Sequence, residues 1–247
     1  MNESASQLAA TQGAGEGASP IAYCTSLIAQ ADEDLHLSLR YAAPADRPRL
    51  AALFAFQIEL RRIPASVSEP ALGEIRLQWH REALAEIVAG KLPRAHPVIL
   101  ALAATGLTAS DACALEALID ARARLFYART FTTLDDLGEF LAGAEAPLAG
   151  LALGDAGLSA AAHGLGQAHA LARLAPSFAP SLAPGAAALA LTLRAEHGPA
   201  LSRLSPEAFG RIAYLALVRG HAVRPGGTAW PLVKRLALLA ATASGRF

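Results

Sequence analysis

Residues 47–62, RPRLAALFAFQIELRR, decide the fold class of this chain. Apolar side chains occupy nearly every helical face of this stretch, and a helix that is apolar almost all round belongs in a protein core. Asp46 stands at its start, and the proline in Ile63-Pro64-Ala65-Ser66 predicts that the helix breaks there. The stretch therefore predicts a central helix that other helices surround.

The sequence on both sides of this stretch has the pattern of helices joined by short loops. A helix that starts at Glu69-Pro70 is predicted to end at Gly90, because its apolar residues repeat at helical spacing and glycine favours a left-handed cap. No stretch alternates apolar and polar residues over the length of a strand. Ser110 and Thr133 are the predicted caps of two further helices. The remaining helices are predicted at residues 20–30, 32–39, 97–105, 111–129, 134–142, 147–154, 158–175, 184–196, 206–219 and 228–242.

Composition favours the same all-α fold. About a quarter of the residues are alanine, the best helix former. Hydrophobic residues make up 53% and charged residues 17% of the chain, which excludes a disordered polyelectrolyte. No linker or repeat divides the sequence, so we predict one helical domain over residues 19–247. Residues 1–18 are small and polar, which predicts a disordered N-terminal tail.

Charge and cysteine content exclude several classes of function. The 21 Lys and Arg residues balance the 21 Asp and Glu residues, so no nucleic-acid partner is predicted. Cys24 and Cys113 are too few for a disulfide framework or a zinc site, and we predict both as core residues of a cytoplasmic protein. The uncharged run from Leu174 to Leu193 contains three prolines, which favours a buried turn and a core helix over a membrane span.

The spacing of polar residues supports neither a metal site nor a nucleophile. The seven histidines are scattered, and His163 and His169, six residues apart, fall on different helix faces. Asp32-Glu33-Asp34 and Asp135-Asp136 stand at predicted helix starts, where the helix dipole favours carboxylates, so we interpret both clusters as caps. No catalytic residue, metal ligand or cofactor is predicted.

Residues 59–82, ELRRIPASVSEPALGEIRLQWHRE, carry the densest polar pattern in the chain. Charges between apolar segments are costly unless they are paired. They therefore either fasten two packed helices by ion pairs, or form a buried polar pocket or a partner-binding surface. Within this set we predict a structural role for Glu74 and an interaction with a partner for Arg76. The candidate pocket or partner residues are Glu59, Arg61, Arg62, Glu69, Glu74, Arg76, Gln78 and Trp79.

Residues 53–87, LFAFQIELRRIPASVSEPALGEIRLQWHREALAEI, resemble the squalene/phytoene synthase family, which are head-to-head isoprenyl synthases. The most specific element is Ser68-Glu69-Pro70 followed by Leu72 to Trp79. This element resembles the branch that includes the assembly factor of respiratory complex I (NADH–ubiquinone oxidoreductase) and its alphaproteobacterial relatives. The resemblance covers most of residues 20–240 and implies a single-domain helical bundle of the trans-isoprenyl synthase type.

The same resemblance implies that the magnesium chemistry of the family is missing from this chain. The two aspartates of the first family motif, D-x-x-x-D, would fall at Arg61 and Ala65. The polar residues of the second motif, N-x-x-R-D, would fall at Arg173, Pro176 and Ser177. Arginine in place of a magnesium ligand reverses the local charge and should exclude the ion.

The resemblance implies a non-catalytic family member that assists the assembly of respiratory complex I through protein or membrane contacts. The alternative is a prenyltransferase that acts on farnesyl or geranylgeranyl diphosphate. A genomic neighbourhood of respiratory genes would favour the first function, and one of hopanoid or carotenoid genes the second.

The C-terminal stretch WPLVKRLALLAATASGRF, which begins at Trp230, leaves two interpretations open. Its apolar residues form one helical stripe, with Lys234 and Arg235 beside it. In the first interpretation, this helix makes a weak contact with a membrane surface, which would place the protein at the periphery of the inner membrane. Otherwise it is a last core helix with solvated basic residues. The stripe consists of Leu232, Val233, Leu236, Leu239 and Ala240.

Overall fold

Thirteen α-helices and three short 3-10 turns form the part of the chain that the computed structural model describes, residues 19–224 and 231–247. These residues contain no strand, and the predicted all-α single-domain fold is confirmed. The predicted tail and Trp230 lie outside the described residues. The helices are α1 (Pro20–Ala31), α2 (Glu33–Tyr41), α3 (Arg47–Ser66), α4 (Pro70–Val88), α5 (Pro97–Ala103), α6 (Ala109–Ala123), α7 (Leu134–Ala144), α8 (Pro147–Leu153), α9 (Ser159–Phe178), α10 (Ala183–Leu201), α11 (Pro206–Arg211), α12 (Val218–Val223) and α13 (Pro231–Ser244).

Helix α3 lies in the centre of the bundle, as its apolar circumference predicts. Every residue from Leu50 to Ile58 is buried, and the helix contacts α1, α2, α4, α5, α6 and α8. Helix α9 forms a second centre and packs most extensively against the alanine-rich helix α10. The polar residues Arg61 and Arg173 lie towards the C-terminal ends of α3 and α9, so the packing of these two helices positions the site described below.

Local sequence signals explain most helix ends. Thr133 accepts a hydrogen bond from the backbone of Asp136, as predicted. The helix starting at Pro70 ends at Val88, and Gly90 takes the predicted left-handed conformation with φ of 67°. The cap at Ser110 was wrong, because Thr108 and Asp111 form a reciprocal capping box one residue before α6 begins.

Helix α3 ends within the predicted stretch Ile63-Pro64-Ala65-Ser66, with Pro64 inside its last turn. The helix continues to Ser66, so proline perturbs only its last turn. The Pro64 carbonyl accepts a hydrogen bond from Arg129, and the Ser66 hydroxyl donates to the Ile63 carbonyl. These side chains satisfy carbonyls that the end of a helix leaves without backbone partners.

The helix predicted at residues 206–219 is divided into α11, a 3-10 turn and α12. Ile212 leaves the helical region of backbone angles, with φ of −125° and ψ of 22°. The Tyr214 amide donates to the Ser38 hydroxyl instead of to a helical carbonyl. A long-range contact with α2 therefore overrides the local helical pattern.

The two cysteines have different environments. Cys24 is buried as predicted, and burial raises its pKa to about 11. The core placement of Cys113 was wrong, because the thiol is exposed while Ala112 and Leu115 form the buried side of α6.

The uncharged run at Leu174–Leu193 spans the end of α9, a 3-10 turn and the first half of α10. None of the helices in residues 19–224 and 231–247 has the length and hydropathy to cross a bilayer.

Candidate functional site: a buried network of arginines and carboxylates

Asp32 connects the two central helices of the bundle. One carboxylate oxygen of Asp32 lies 2.7 Å from Arg61 of α3 and 2.6 Å from Arg173 of α9. The other oxygen accepts a hydrogen bond from the Leu35 amide and caps α2. The side chain of Asp32 is fully buried. Two of the positions that the resemblance aligns with magnesium-motif residues therefore face each other across a shared carboxylate.

Asp34 binds four cationic or proton-donating groups. His169 and His221 donate from Nε2 to the same carboxylate oxygen, at 3.2 Å and 2.7 Å. The Arg173 Nε lies 3.4 Å from this oxygen, and the Lys234 Nζ lies 2.8 Å from the other. Asp34 itself is completely buried. Asp34 thus joins α2 to α9, α12 and the C-terminal helix α13.

Glu145 forms the other half of the network. Its carboxylate accepts hydrogen bonds from Arg61 Nε at 3.1 Å, from Gln57 Nε2 at 2.8 Å and from Arg122. Arg122 is almost completely buried and also donates to the Ala144 carbonyl. Arg61 contacts this carboxylate through both Nε and Nη2, the fork geometry that makes a buried arginine tolerable, whereas Arg122 binds it through Nη2 alone.

The network balances four cations against four carboxylates. The cations are Arg61, Arg122, Arg173 and Lys234, and the carboxylates are Asp32, Asp34, Glu145 and Glu33, which binds Lys234 at the rim.

The pKa values in the network follow from burial and pairing together. Burial alone would raise the pKa of Asp34, but the hydrogen bonds from His169 and His221 hold it well below its usual value. In the same way Arg61 lowers the pKa of both Asp32 and Glu145 against the effect of burial. Burial lowers the pKa of His169, so its neutral form is favoured. At neutral pH the carboxylates are therefore charged and His169 is neutral.

Asp34, His169 and His221 have the composition of a metal-ligand set, since their ligand atoms lie within 4.8 Å of one another. The three residues are too far apart in the sequence for their spacing to indicate this cluster. However, Lys234 and Arg173 already contact the Asp34 carboxylate. A divalent cation would have to displace these charges or lie beside them, so the donor set is better matched to hydrogen bonding than to a metal.

The interior space beside the network is small. A cavity lined by Arg61, Glu145, His169 and Tyr214 among others has a volume of about 10 Å³, room for about one water molecule. On the outer side of Arg61 a second cavity of about 280 Å³ lies between Arg122, Arg129 and apolar side chains such as Phe178.

A larger cleft of about 760 Å³ lies elsewhere, near the start of α3. None of the candidate residues from the sequence lines this cleft. Its arginines are paired, Arg49 with Asp111 and Arg211 with Asp46, at 2.9 Å and 2.8 Å.

Of the candidate residues from the sequence, only Arg61 takes part in the buried network. Glu59 and Arg62 lie on the same helix, and the Arg62 Nη1 lies 3.8 Å from the Glu59 carboxylate near the surface. Trp79 is half-buried and lies against the guanidinium of Arg94. These three residues form ordinary contacts between helices and the surface.

The other candidates lie on α4 or immediately before it. Glu69, Arg76 and Gln78 are exposed, and Glu74 is half-buried. Arg76 donates a hydrogen bond to the Ser66 hydroxyl at 2.7 Å. This part of the predicted set is therefore a surface at the junction of α3 and α4 and does not belong to the buried network.

The acidic cluster at residues 32–34 was interpreted too simply. Asp32 does cap α2, but its second oxygen joins Arg61 and Arg173, and Asp34 is an interior acceptor. The partners of Asp34 lie 135 and 187 residues away along the chain. Local spacing could not predict these contacts, although an acidic cluster in so apolar a chain was a usable signal.

Comparison with known proteins agrees with the family-level part of the resemblance noted in the sequence, and it does not extend to the assembly-factor branch. A sequence model of squalene/phytoene synthases matches residues 28–203, which is more than half of the chain. The chain belongs to the squalene/phytoene synthase family. No curated protein matches its sequence.

Solved structures share the fold of this family member. A dehydrosqualene synthase in complex with ligand has a TM-score of 0.68 at 14% identity, with 91% of this chain and 95% of that chain covered. Squalene synthase HpnC from Alicyclobacillus acidocaldarius has a TM-score of 0.65 at 18% identity, with 92% and 94% covered. At these identities the likeness establishes the fold alone.

The residues of this chain do not fit the magnesium ions that the resemblance associates with the family. Magnesium is held by carboxylates and water in octahedral geometry. Arg61 and Arg173 place positive charge at two of the aligned positions, and every carboxylate beside them is already paired with a cation. We derive no catalytic step through magnesium for this chain.

Replacing Glu145 with glutamine tests how much the network contributes to the free energy of unfolding. Glu145→Gln keeps the shape but leaves Arg61 and Arg122 without their carboxylate, so we expect a loss of about 3–5 kcal/mol in the free energy of unfolding. The matched control is Asp120→Asn, which removes the exposed pair with Arg81 and should cost less than about 1 kcal/mol. Urea unfolding measures both, and equal losses would contradict a special role for the buried network.

The folded protein should lose stability in acid in two stages. The folded-state pKa of His169 is lowered, so its contribution is present above the unfolded value of about 6.5 and is lost as the pH falls through this region. The pKa values of Asp32, Asp34 and Glu145 are also lowered, so their contribution is lost as the pH falls below about 4. Urea midpoints measured from pH 8 to pH 3 should fall slightly and then steeply. A constant midpoint down to pH 3.5 would contradict this result.

Proposed function

We propose that this chain is a squalene/phytoene synthase-like protein without the prenyl-transfer chemistry of the family, and that it assists the assembly of respiratory complex I through protein or membrane contacts. The observation that carries the first half is the shared Asp32 carboxylate between Arg61 and Arg173. The resemblance of residues 68–79 to the assembly branch carries the second half.

The buried network supports the non-catalytic half of the proposal through charge. A magnesium-dependent site needs free carboxylates that can share the metal with a diphosphate. In this chain Asp32 and Glu145 are each bound by two arginines, whose positive charges repel a cation. If either carboxylate turned from its two arginines to a metal ion, largely buried positive charges would be left unpaired.

The small volume of the space beside the network independently supports the non-catalytic half of the proposal. Sites for small molecules usually have volumes of about 300–1,000 Å³. The space enclosed between Arg61, Glu145 and His169 is about 10 Å³. The cavity of about 280 Å³ outside Arg61 lies near the lower limit of that range, and its arginines and apolar walls are suited to an anionic amphiphile. Binding of such a molecule in this cavity would not by itself provide a means of ionising it.

The surface at the start of α4 supports the partner-binding half. The segment that carries the most specific resemblance exposes Leu72 and Ile75 together with Arg76. A cluster of exposed apolar side chains marks a candidate interaction site, and arginine is enriched at protein interfaces. By contrast, Gly73 in the same segment is buried against the Phe126 ring, which explains this glycine by packing alone.

Incubation with labelled farnesyl or geranylgeranyl diphosphate and Mg²⁺ should give no product above a no-enzyme control. The reason is the pairing of every carboxylate that could hold the metal at Arg61 and Arg173. An active dehydrosqualene synthase assayed under the same conditions is the positive control. Product formation that depends on Mg²⁺ would reject the non-catalytic proposal and favour the prenyltransferase alternative.

Deletion of the gene should lower the amount of assembled complex I and its activity, and complementation with variants should locate the surface. Ile75→Gln and Arg76→Gln should each fail to restore assembly, because losing one central contact weakens an interface about tenfold or more. Leu92→Gln is the matched control, since Leu92 is also an exposed aliphatic residue but lies beyond the end of α4.

Melting temperatures of the purified variants should stay close to that of the native chain, because both side chains are exposed. Unchanged complex I in the deletion strain would reject the assembly role. Full restoration by all three variants would leave the role in place but reject this surface.

A further inference from the structure

The C-terminal helix α13 has a polar contact on its inner side. The Lys234 Nζ lies 2.8 Å from Asp34 and also binds Glu33, and the lysine is buried. Leu238 and Ala241 complete the buried side of the helix. The interpretation of Lys234 as a solvated residue on the last core helix was therefore wrong.

The outer side of α13 is apolar. Leu232, Val233, Leu236 and Leu239 are 62%, 47%, 65% and 55% exposed. Residues at this spacing share one helical face, which on a water-exposed helix is ordinarily polar. The helix thus has the reverse of the usual arrangement, with its lysine inside and its leucines outside.

The buried network fixes this orientation. Rotating α13 to bury the leucines would withdraw Lys234 from Asp34, which would lose one of its cationic partners in the interior. The exposure of the apolar face is therefore not a sign that α13 is a loosely packed core helix. The contact that holds the helix on its inner side is a specific ion pair.

The chain segment that carries this face is positively charged, and the partly exposed Glu33 of α2 beside it is paired with Lys234. Residues 208–247 contain six Lys and Arg residues and no Asp or Glu. Arg219, Arg224 and Arg235 are exposed, and none of the three forms an ion pair within the described part of the chain. His221 of α12 and Lys234 of α13 both reach Asp34, so the end of α12 lies beside the start of α13. Val223, also exposed, adds to the apolar surface there.

We propose that the outer face of α13, together with Val223, lies on the surface of an anionic lipid bilayer. Leucine and valine side chains would enter the boundary of the acyl region, and the arginines would contact the anionic headgroups. A helix of 14 residues is about 21 Å long, shorter than the roughly 30 Å hydrocarbon core, so it lies in the interface and does not span it. The proposal does not depend on the role in complex I assembly.

A second copy of the chain is a poorer occupant of this face. In a symmetric dimer the same patch is used by both subunits, so the arginines around α13 would face their own copies. No acidic residue occurs in residues 208–247 to compensate them. An anionic surface provides the opposite charge as well as an apolar layer.

Co-sedimentation of the full chain with vesicles tests the proposal. Vesicles of phosphatidylcholine with 30 mol% phosphatidylglycerol are compared with pure phosphatidylcholine. We expect binding to the anionic vesicles that weakens with salt, and much weaker binding to the neutral ones. Absence of binding to the anionic vesicles at low salt would overturn the proposal.

Two variants separate the apolar and the charged contributions. Leu236→Gln/Leu239→Gln should lower the partition coefficient at least tenfold, whereas the control Val88→Gln/Leu92→Gln should leave it unchanged. The control side chains are 42% and 92% exposed, so both pairs remove exposed aliphatic groups, and glutamine is a good helix former. Equal binding by these two variants would overturn the proposal.

The charge variant replaces Arg219, Arg224 and Arg235 with glutamine. It should lower binding to anionic vesicles by more than tenfold, since each basic residue near such a surface contributes about fivefold. It should leave binding to neutral vesicles unchanged. Retention of full binding to the anionic vesicles would overturn the charge component. Sedimentation velocity that detects a dimer abolished by Leu236→Gln/Leu239→Gln would assign the face to a second copy instead.

Discussion

The ion pairs of Asp32 with Arg61 and Arg173 determine how the centre of the bundle is held together. A single buried carboxylate neutralises an arginine from each of the two central helices while it caps a third helix. Without it, two guanidinium groups would face each other in an interior with little water to screen them. The rest of the polar interior extends from this contact, through Arg61 to Glu145 and through Arg173 to Asp34.

The charges in this arrangement are opposite to those that the family resemblance implies for active synthases. There, acidic side chains on two helices would share a cation, whereas here cationic side chains on the same two helices share a carboxylate. Both arrangements can join the helices, so the fold is retained at 14–18% identity to solved synthases. A common fold therefore says little about chemistry, which depends on the charges placed within it.

The same network reaches the surface through Lys234. Because Asp34 holds this lysine in the interior, the leucines on the opposite side of α13 are exposed. The charge balance of the interior and the apolar character of the outer face therefore both follow from the orientation of α13. In this family member, a buried ion pair has a geometric role, since it fixes which side of a helix meets the solvent.

Most of the helices, the central position of α3 and the arginine at position 61 could be predicted from the sequence. These properties follow from apolar periodicity, caps and residue identity, which are all local. The interior positions of Asp32 and Asp34, the meeting of His169 and His221 on one carboxylate, and the inward orientation of Lys234 could not be predicted in this way. The partners of these groups are far apart in sequence, and spacing along one helix cannot identify which distant charge will balance a buried one.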